Sequence, residues 1–299
     1  MATEKLKLGI IGISEGNGHP YSWAAIFNGY DVDKMEGCPY PIIPQYLAEQ
    51  DFPKDFLQNA EVTHIWTQDI EVSNHIAKAS RIPNVATNLE DMIGHVDAVL
   101  LARDDAENHF EHARPFLQAG LPIYIDKPFA LTKHEAERMW GACVIEDQIF
   151  TCSALQFAEE FSPSQIDYEK IGEPRMVIAT VPKSWNKYGV HIIEPLLNML
   201  PQRGKLEEVR KVNEDDTHTV YVKWSNNLSA ILMATGSNSS PLGYKVMGTL
   251  GYQDLYFKDS FNAFKSALDR FVKLVNKQAK NIDKEFTLEM IEILEKGNL

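Results

Sequence analysis

The sequence predicts two fold classes in one chain: an α/β doubly wound parallel sheet in its first part, and an α+β unit with a mainly antiparallel sheet in its second. Three observations carry this. Up to about residue 150, short and nearly continuous apolar runs alternate with helix-patterned segments, as strands buried on both faces of a parallel sheet do. Later strand-like segments follow one another without helices between them, and Asn226-Asn227 supplies a two-residue hairpin turn. Between the two textures lies Tyr124-Ile125-Asp126-Lys127-Pro128-Phe129, so the expected domains are 1–128 and 129–299.

Leu6 to Ile13 reads as the first strand. It leads into Ser14-Glu15-Gly16-Asn17-Gly18-His19-Pro20 and a helix from Tyr21 to about Asn28. Strand, glycine-rich turn and helix is the arrangement of a Rossmann-type dinucleotide-binding domain, which sets backbone N–H groups and a helix N-terminus around a phosphate. The glycine spacing departs from G-x-G-x-x-G: with Gly12 as the first glycine, Ser14 and Asn17 stand where the next two belong, and Gly16 and Gly18 are each displaced by one. A plain tight turn is the alternative; position at the first strand–helix junction favours phosphate. Residues 30–60, with Pro39, Pro41, Pro44 and Pro53 among Tyr40, Tyr46, Phe52 and Phe56, read as an ordered insertion with a short helix near Gln45 to Glu49, serving as a lid or an interface.

Strands are expected at Val62 to Thr67, Asp97 to Ala102, Pro122 to Ile125 and Phe150 to Gln156, with helices at Ile70 to Ala79, Glu107 to Ala119 and Thr132 to about Asp147. The acid that reads an adenosine ribose usually closes the second strand; Thr67 and Gln68 stand there, and Asp69 is expected to cap the next helix, so NAD and NADP are not distinguished. Ligands gather at the carboxyl ends of parallel strands. That places Gly12, Ser14, Gly16, Asn17, Gly18, His19, Thr67, Ala102, Arg103 and Asp126 among the expected cofactor contacts. In the second part, strands are expected at Met176 to Val181, Thr219 to Trp224, Leu228 to Thr235, Tyr244 to Thr249 and Asp254 to Phe257, followed by two helices.

Composition narrows the function classes. A formal charge of −13 over 299 residues disfavours nucleic acid and anionic membrane surfaces. With 44% hydrophobic and 24% charged residues the chain reads as globular. Residues 2–5 lead straight into the first strand without a signal-peptide pattern, and no apolar stretch approaches membrane-spanning length. Cys38, Cys143 and Cys152 are too scattered for a disulfide framework or a zinc site, so a cytoplasmic location and no metal are expected.

A nucleotide-type domain, then Asp126-Lys127-Pro128, then a helix and an antiparallel domain together resemble the Gfo/Idh/MocA oxidoreductase family over nearly the whole chain. Asp126-Lys127-Pro128 is similar to the family's E-K-P, which implies that Lys127 lies beside the nicotinamide and the substrate. His109 matches the histidine of A-T-P-x-x-x-H and joins the expected cofactor contacts, although Arg103-Asp104 replace Thr-Pro. Lys187-Tyr188-Gly189-Val190-His191-Ile192-Ile193-Glu194 resembles D-x-G-x-H-x-x-D, with Lys187 in place of the first aspartate and Glu194 as a longer last acid.

These residue types suit oxidation of a hydroxyl, which needs a hydride acceptor and a base. An imidazole such as His191 exchanges protons near neutrality, and a lysine ammonium such as Lys127 stabilises charge on the reacting oxygen. Lys187, His191 and Glu194 fall on one helical face, and with Trp185 and Tyr188 they are expected to bind substrate. His64, His75, His95, His112, His134 and His218 are expected in ordinary packing or surface roles. The resemblance implies an NAD- or NADP-dependent oxidoreductase of a sugar, nucleotide-sugar or cyclitol. It also implies substrate between the domains and a homodimer or homotetramer built through the C-terminal sheet. Two alternatives stay open: a cofactor-sensing protein without turnover, favoured by the irregular glycine loop, Arg103-Asp104 and Lys187, and a redox-neutral enzyme acting on a glycosidic bond with NAD recycled in place.

Overall fold

The computed structural model describes residues 5–213 and 216–299; residues 2–4, expected to lead into the first strand, lie outside them. In chain order the elements begin with β1 Leu6–Ile11, α1 His19–Asn28, α2 Val32–Met35, α3 Ile42–Ala48, β2 Ala60–Trp66, α4 Ile70–Ala79, β3 Asn84–Val85, β4 Ala98–Leu101, α5 Ala106–Gln118, β5 Ile123–Ile125, α6 Lys133–Gly141 and β6 Ile149–Thr151. They continue with α7 Tyr168–Ile171, β7 Pro174–Val181, α8 Trp185–Tyr188, α9 Val190–Met199, β8 Leu206–Asn213, β9 His218–Trp224, β10 Ser229–Ala234, β11 Gly243–Gly248, β12 Tyr252–Tyr256, α10 Ser260–Val275 and α11 Lys284–Asn298.

The chain forms two compact units, neither continuous in sequence. The first comprises residues 1–129, 137–151 and 264–281; the second comprises residues 130–136, 152–263 and 282–299.

In the first unit the sheet runs β3-β2-β1-β4-β5-β6, and every pairing in it is parallel. Its central strands are apolar on both faces: Ala98 to Leu101 and Ile123, Tyr124 and Ile125 are all buried. The order reverses at β1 and β4, the switch point at which open α/β sheets place ligands. The insertion is folded. Its helix α3 packs on α1, and Gly18 lies so close to Tyr40 and Ile43 that a Cβ there would stand 2.4 Å from Tyr40 Cδ2. Tyr40 and Ile43 of the insertion therefore pack against the start of α1.

The second unit carries a sheet in the order β12-β11-β7-β10-β9-β8, antiparallel except for the parallel pair β7–β10. Strand β8 and the two-residue β3 have no counterpart in the sequence reading. The charged string Leu206-Glu207-Glu208-Val209-Arg210-Lys211 hides an edge strand that pairs only with β9. Asn227 turns the β9–β10 hairpin with φ 54°. Along β7, β9, β10 and β11 one set of side chains is buried, while Met176, Ile178, Tyr221, Ile231, Met233 and Met247 on the other face remain half-exposed. Among the described residues no helix is long and apolar enough to cross a membrane.

Candidate functional site

At the carboxyl ends of β1, β4 and β5, two buried carboxylates organise the glycine loop. Asp104 accepts a hydrogen bond from Ser14 Oγ at 2.7 Å and pairs with Lys127 Nζ at 3.5 Å, and its own N–H donates to Ser14 Oγ. Asp126 accepts from Asn17 Nδ2 at 3.0 Å, from the Lys127 N–H at 2.8 Å and from His19 Nδ1 at 2.5 Å. The carboxylate side chains are only 5% and 2% exposed and Lys127 only 6%, so these interactions lie in a low-dielectric setting. The Lys127–Pro128 bond is cis.

Around this centre the remaining expected cofactor residues act as braces. His109 is buried, with its two ring nitrogens at the carbonyls of Arg103 (2.9 Å) and Phe129 (3.2 Å), so it joins the loops that follow β4 and β5. Arg103 grips Asp105 through Nε and Nη2 and donates from Nη1 to the Ile13 carbonyl and to Gln68. Burial works against the Asp105 carboxylate, but hydrogen bonds from Arg103 and Asn108 outweigh it and hold its carboxyl below the usual range. Gln68 was named in the sequence only as an occupant of the ribose-reading place. Its side-chain amide bonds both the N–H and the carbonyl of Ile13, tying the end of β2 to the end of β1. Thr67 is buried against Ser73, and Asp69 caps α4 as expected. Ala102 is buried and donates its N–H to Ile11 in the sheet.

A dinucleotide pyrophosphate fits this loop on one side. Gly16 takes φ +79°, and nothing lies within 4 Å of where a Cβ would sit, so the backbone of the Ser14–Asn17 turn can be approached closely there. The inner side is committed to Asp104 and Asp126. The helix end adds little, because the His19 N–H goes to Asn17 Oδ1, Pro20 has no N–H, and the Tyr21 N–H goes to the Gly18 carbonyl.

In the second unit a separate cluster forms at the start of α9. His191 Nδ1 meets Ser153 Oγ at 2.7 Å, and Glu194 accepts the Ser153 N–H at 2.5 Å. Ser153 escaped the sequence reading, since a lone serine after a strand carries no signal. Burial pushes the Glu194 carboxyl up to about 8, against the pull of the Ser153 N–H, so it is protonated at neutral pH. Pro195 lacks the N–H that would bond the His191 carbonyl within α9, and the Tyr244 hydroxyl reaches that carbonyl at 3.4 Å and Ile192's at 3.1 Å. Tyr188 stands edge-on to His191 with centroids 5.4 Å apart, its hydroxyl accepting from Lys183 Nζ. Lys187 lies in α8, before the turn at Gly189, and is partly exposed. Trp185 is enclosed: it is 2% exposed, stacks on His218 and donates to the Leu294 carbonyl, a packing environment.

The chain thus joins a Rossmann-type parallel sheet, with a buried lysine where β5 ends, to a second, mixed sheet. Residues 45–153 match the GFO_IDH_MocA family, described as an oxidoreductase family with an NAD-binding Rossmann fold, as the Asp126-Lys127-Pro128 and His109 motifs implied. Solved structures agree in fold. Apo scyllo-inositol dehydrogenase from Lactobacillus casei has a TM-score of 0.76 at 16% identity, covering 100% of this chain and 96% of that one. Myo-inositol 2-dehydrogenase from Lactobacillus plantarum has a TM-score of 0.73 at 14% identity, covering 99% of this chain and 98% of that one. The Lactobacillus casei scyllo-inositol dehydrogenase with bound NAD(H) and scyllo-inositol has a TM-score of 0.72 at 14% identity, covering 98% and 96%. Comparison with curated protein sequences finds no significant match.

Proposed function

We propose that this protein is an NAD- or NADP-dependent oxidoreductase that interconverts a hydroxyl and a ketone on a sugar, nucleotide-sugar or cyclitol. The observation that carries the reading is Lys127: a buried lysine at the carboxyl end of a central parallel strand, its position held by Asp104 and by its own N–H on Asp126. The cyclitol end of the substrate range draws support from the inositol dehydrogenases that share the fold.

When bound, the nicotinamide supplies the hydride acceptor or donor. The chain's residues do the rest. The backbone turn at Gly16 receives the phosphates, and Asp126 and Asp104 keep the loop closed by holding Asn17 and Ser14. The Lys127 ammonium donates a hydrogen bond to the reacting oxygen and stabilises negative charge as it develops there. His191, oriented through Nδ1 by the Ser153 hydroxyl, exchanges the hydroxyl proton at Nε2. Glu194, protonated near neutral pH, holds the Ser153 backbone in place. The half-exposed apolar face of the second sheet is proposed as the contact between subunits of a homo-oligomer.

The experiment is direct. Purified protein is mixed with NAD or NADP and then with inositols, hexoses and nucleotide-sugars, following nicotinamide absorbance, beside Lys127→Met. Turnover of at least one compound, falling by about 100-fold or more in the variant, is expected. Cofactor binding with no turnover of any compound refutes the reading and turns attention to cofactor sensing, which the tied-down loop would favour.

A further inference from the structure

The segment that leads into α8 sets an ammonium beside the His191 cluster, within the second unit. Lys183 Nζ donates to Tyr188 Oη at 2.6 Å and lies 4.6 Å from the centre of that ring, and the ring stands edge-on to His191 with centroids 5.4 Å apart. A single phenol ring therefore separates the ammonium from the imidazole. Lys183 is exposed and Tyr188 half-buried, so the pair is open to a ligand from solvent. The backbone beneath is constrained. Lys183 takes φ +68°, in the left-handed region that suits glycine, and is held there because its N–H and its carbonyl both bond Gly236, at 3.1 and 3.0 Å.

An ammonium has three N–H donors, and the phenol oxygen takes one. Among the described residues no carboxylate lies within ion-pair distance of Lys183, in contrast to Lys127, which has Asp104. Two donors are thus left for a ligand. The surrounding charge has the same sign: from Lys183 to Glu194 the chain carries two lysines and one acid, and burial keeps that acid protonated at neutral pH. In a chain of formal charge −13 this is a locally cationic stretch. A neutral polyol needs no such charge, whereas an oxyanion gains a charge-assisted hydrogen bond from it.

We infer that Lys183, held by Tyr188, binds an oxyanion on the substrate, a carboxylate or a phosphate, and that the sugar turned over is therefore an acidic one; this rests on the oxidoreductase reading above, with His191 as its proton-exchanging residue. The anion docks on Lys183 while the hydroxyl to be oxidised faces His191, so one sugar ring bridges the two. Lys183 touches no reacting atom and takes no proton. It sets which compound binds and which carbon is presented.

Binding is read before turnover. Protein saturated with reduced nicotinamide cofactor is titrated calorimetrically with D-glucose, D-glucuronate and D-glucose 1-phosphate, and with UDP-glucose and UDP-glucuronate, for wild type, Lys183→Gln and Lys183→Arg. At least one acid is expected to bind about tenfold or more tighter than the counterpart lacking the acidic group. The better of glucuronate and glucose 1-phosphate tells carboxylate from phosphate. Lys183→Gln is expected to bring the acid to within about threefold of its counterpart without moving glucose, and Lys183→Arg to keep most of the preference. If Lys183→Gln folds poorly, acetylation of wild-type Lys183 by acetic anhydride is followed by peptide mass spectrometry; the preferred acid should slow it and glucose should not. Acids bound no tighter than their counterparts, a preference unchanged in Lys183→Gln, or an acid that leaves Lys183 acetylation unslowed each overturns the assignment. Failure of the cofactor to bind, or acids bound through Lys183 but never oxidised, removes the oxidoreductase reading instead, so the two failures are distinct.

Discussion

Replacing Glu194 by glutamine should flatten the pH dependence of stability. The Glu194 carboxyl is buried and stands at about 8 in the folded chain against an ordinary value of 4.5. Its folded-state value is raised, so between these two values the native state holds a proton that the unfolded chain has released. Stability from this group is therefore complete below about pH 4.5, falls as pH rises and is largely gone above about pH 8. A shift of this size corresponds to about 5 kcal/mol over the whole range, of which about 3 kcal/mol falls between roughly pH 5 and 8. Glutamine keeps an oxygen to accept the Ser153 N–H but cannot ionise. The assay is urea unfolding of wild type and Glu194→Gln across that range, following the difference between the two midpoints. The difference is expected to move in favour of the variant by about 3 kcal/mol from pH 5 to pH 8. Parallel pH curves for the two proteins would refute the assignment of a buried proton to Glu194.

Other outcomes follow from single contacts. Gly18→Ala puts a Cβ 2.4 Å from Tyr40 Cδ2 and 2.6 Å from Ile43 Cδ1, and should cost about 1–3 kcal/mol by displacing the insertion from α1; an unchanged thermal midpoint would contradict that packing. Ser153→Ala removes the hydroxyl at His191 Nδ1 but leaves the N–H that Glu194 accepts, so stability should fall by only about 1 kcal/mol. On the active protein the same change should lower kcat by about tenfold or more and alter its pH profile, and an unaltered profile would remove Ser153 from the site.

Much of the first unit was legible because its pattern is local. Short continuous apolar runs such as Ala98 to Leu101, alternating with segments that bear caps such as Asp69, read as strands buried on both faces, and these residues are buried. Edges were less readable. β3 has two residues and β8 a charged string, and neither buries a full face that would mark the sequence. The helix predicted from Thr132 to Asp147 stops at Gly141, where glycine and the turn before Gln148 end it. Conversely α1 starts two residues earlier than expected, at His19, since Pro20 is acceptable in a first helical turn.

By itself the sequence determined the class of each half, the strand end that carries Lys127, and the presence of a histidine at 191 and an acid at 194. These depend on residue type and short-range spacing. Only the tertiary structure decided what each side chain faces. Asp126 is 107 residues from His19 and Asp104 is 90 from Ser14, and nothing local signals either pairing. The same holds for Ser153 beneath His191, 38 residues away, and for the buried proton on Glu194. A parallel sheet sets strand ends that are far apart in sequence side by side, so the partners of a catalytic group are written in topology. Burial, which pushes Glu194 up and keeps Lys127 beside a carboxylate, is a property of the packed unit and of no single segment.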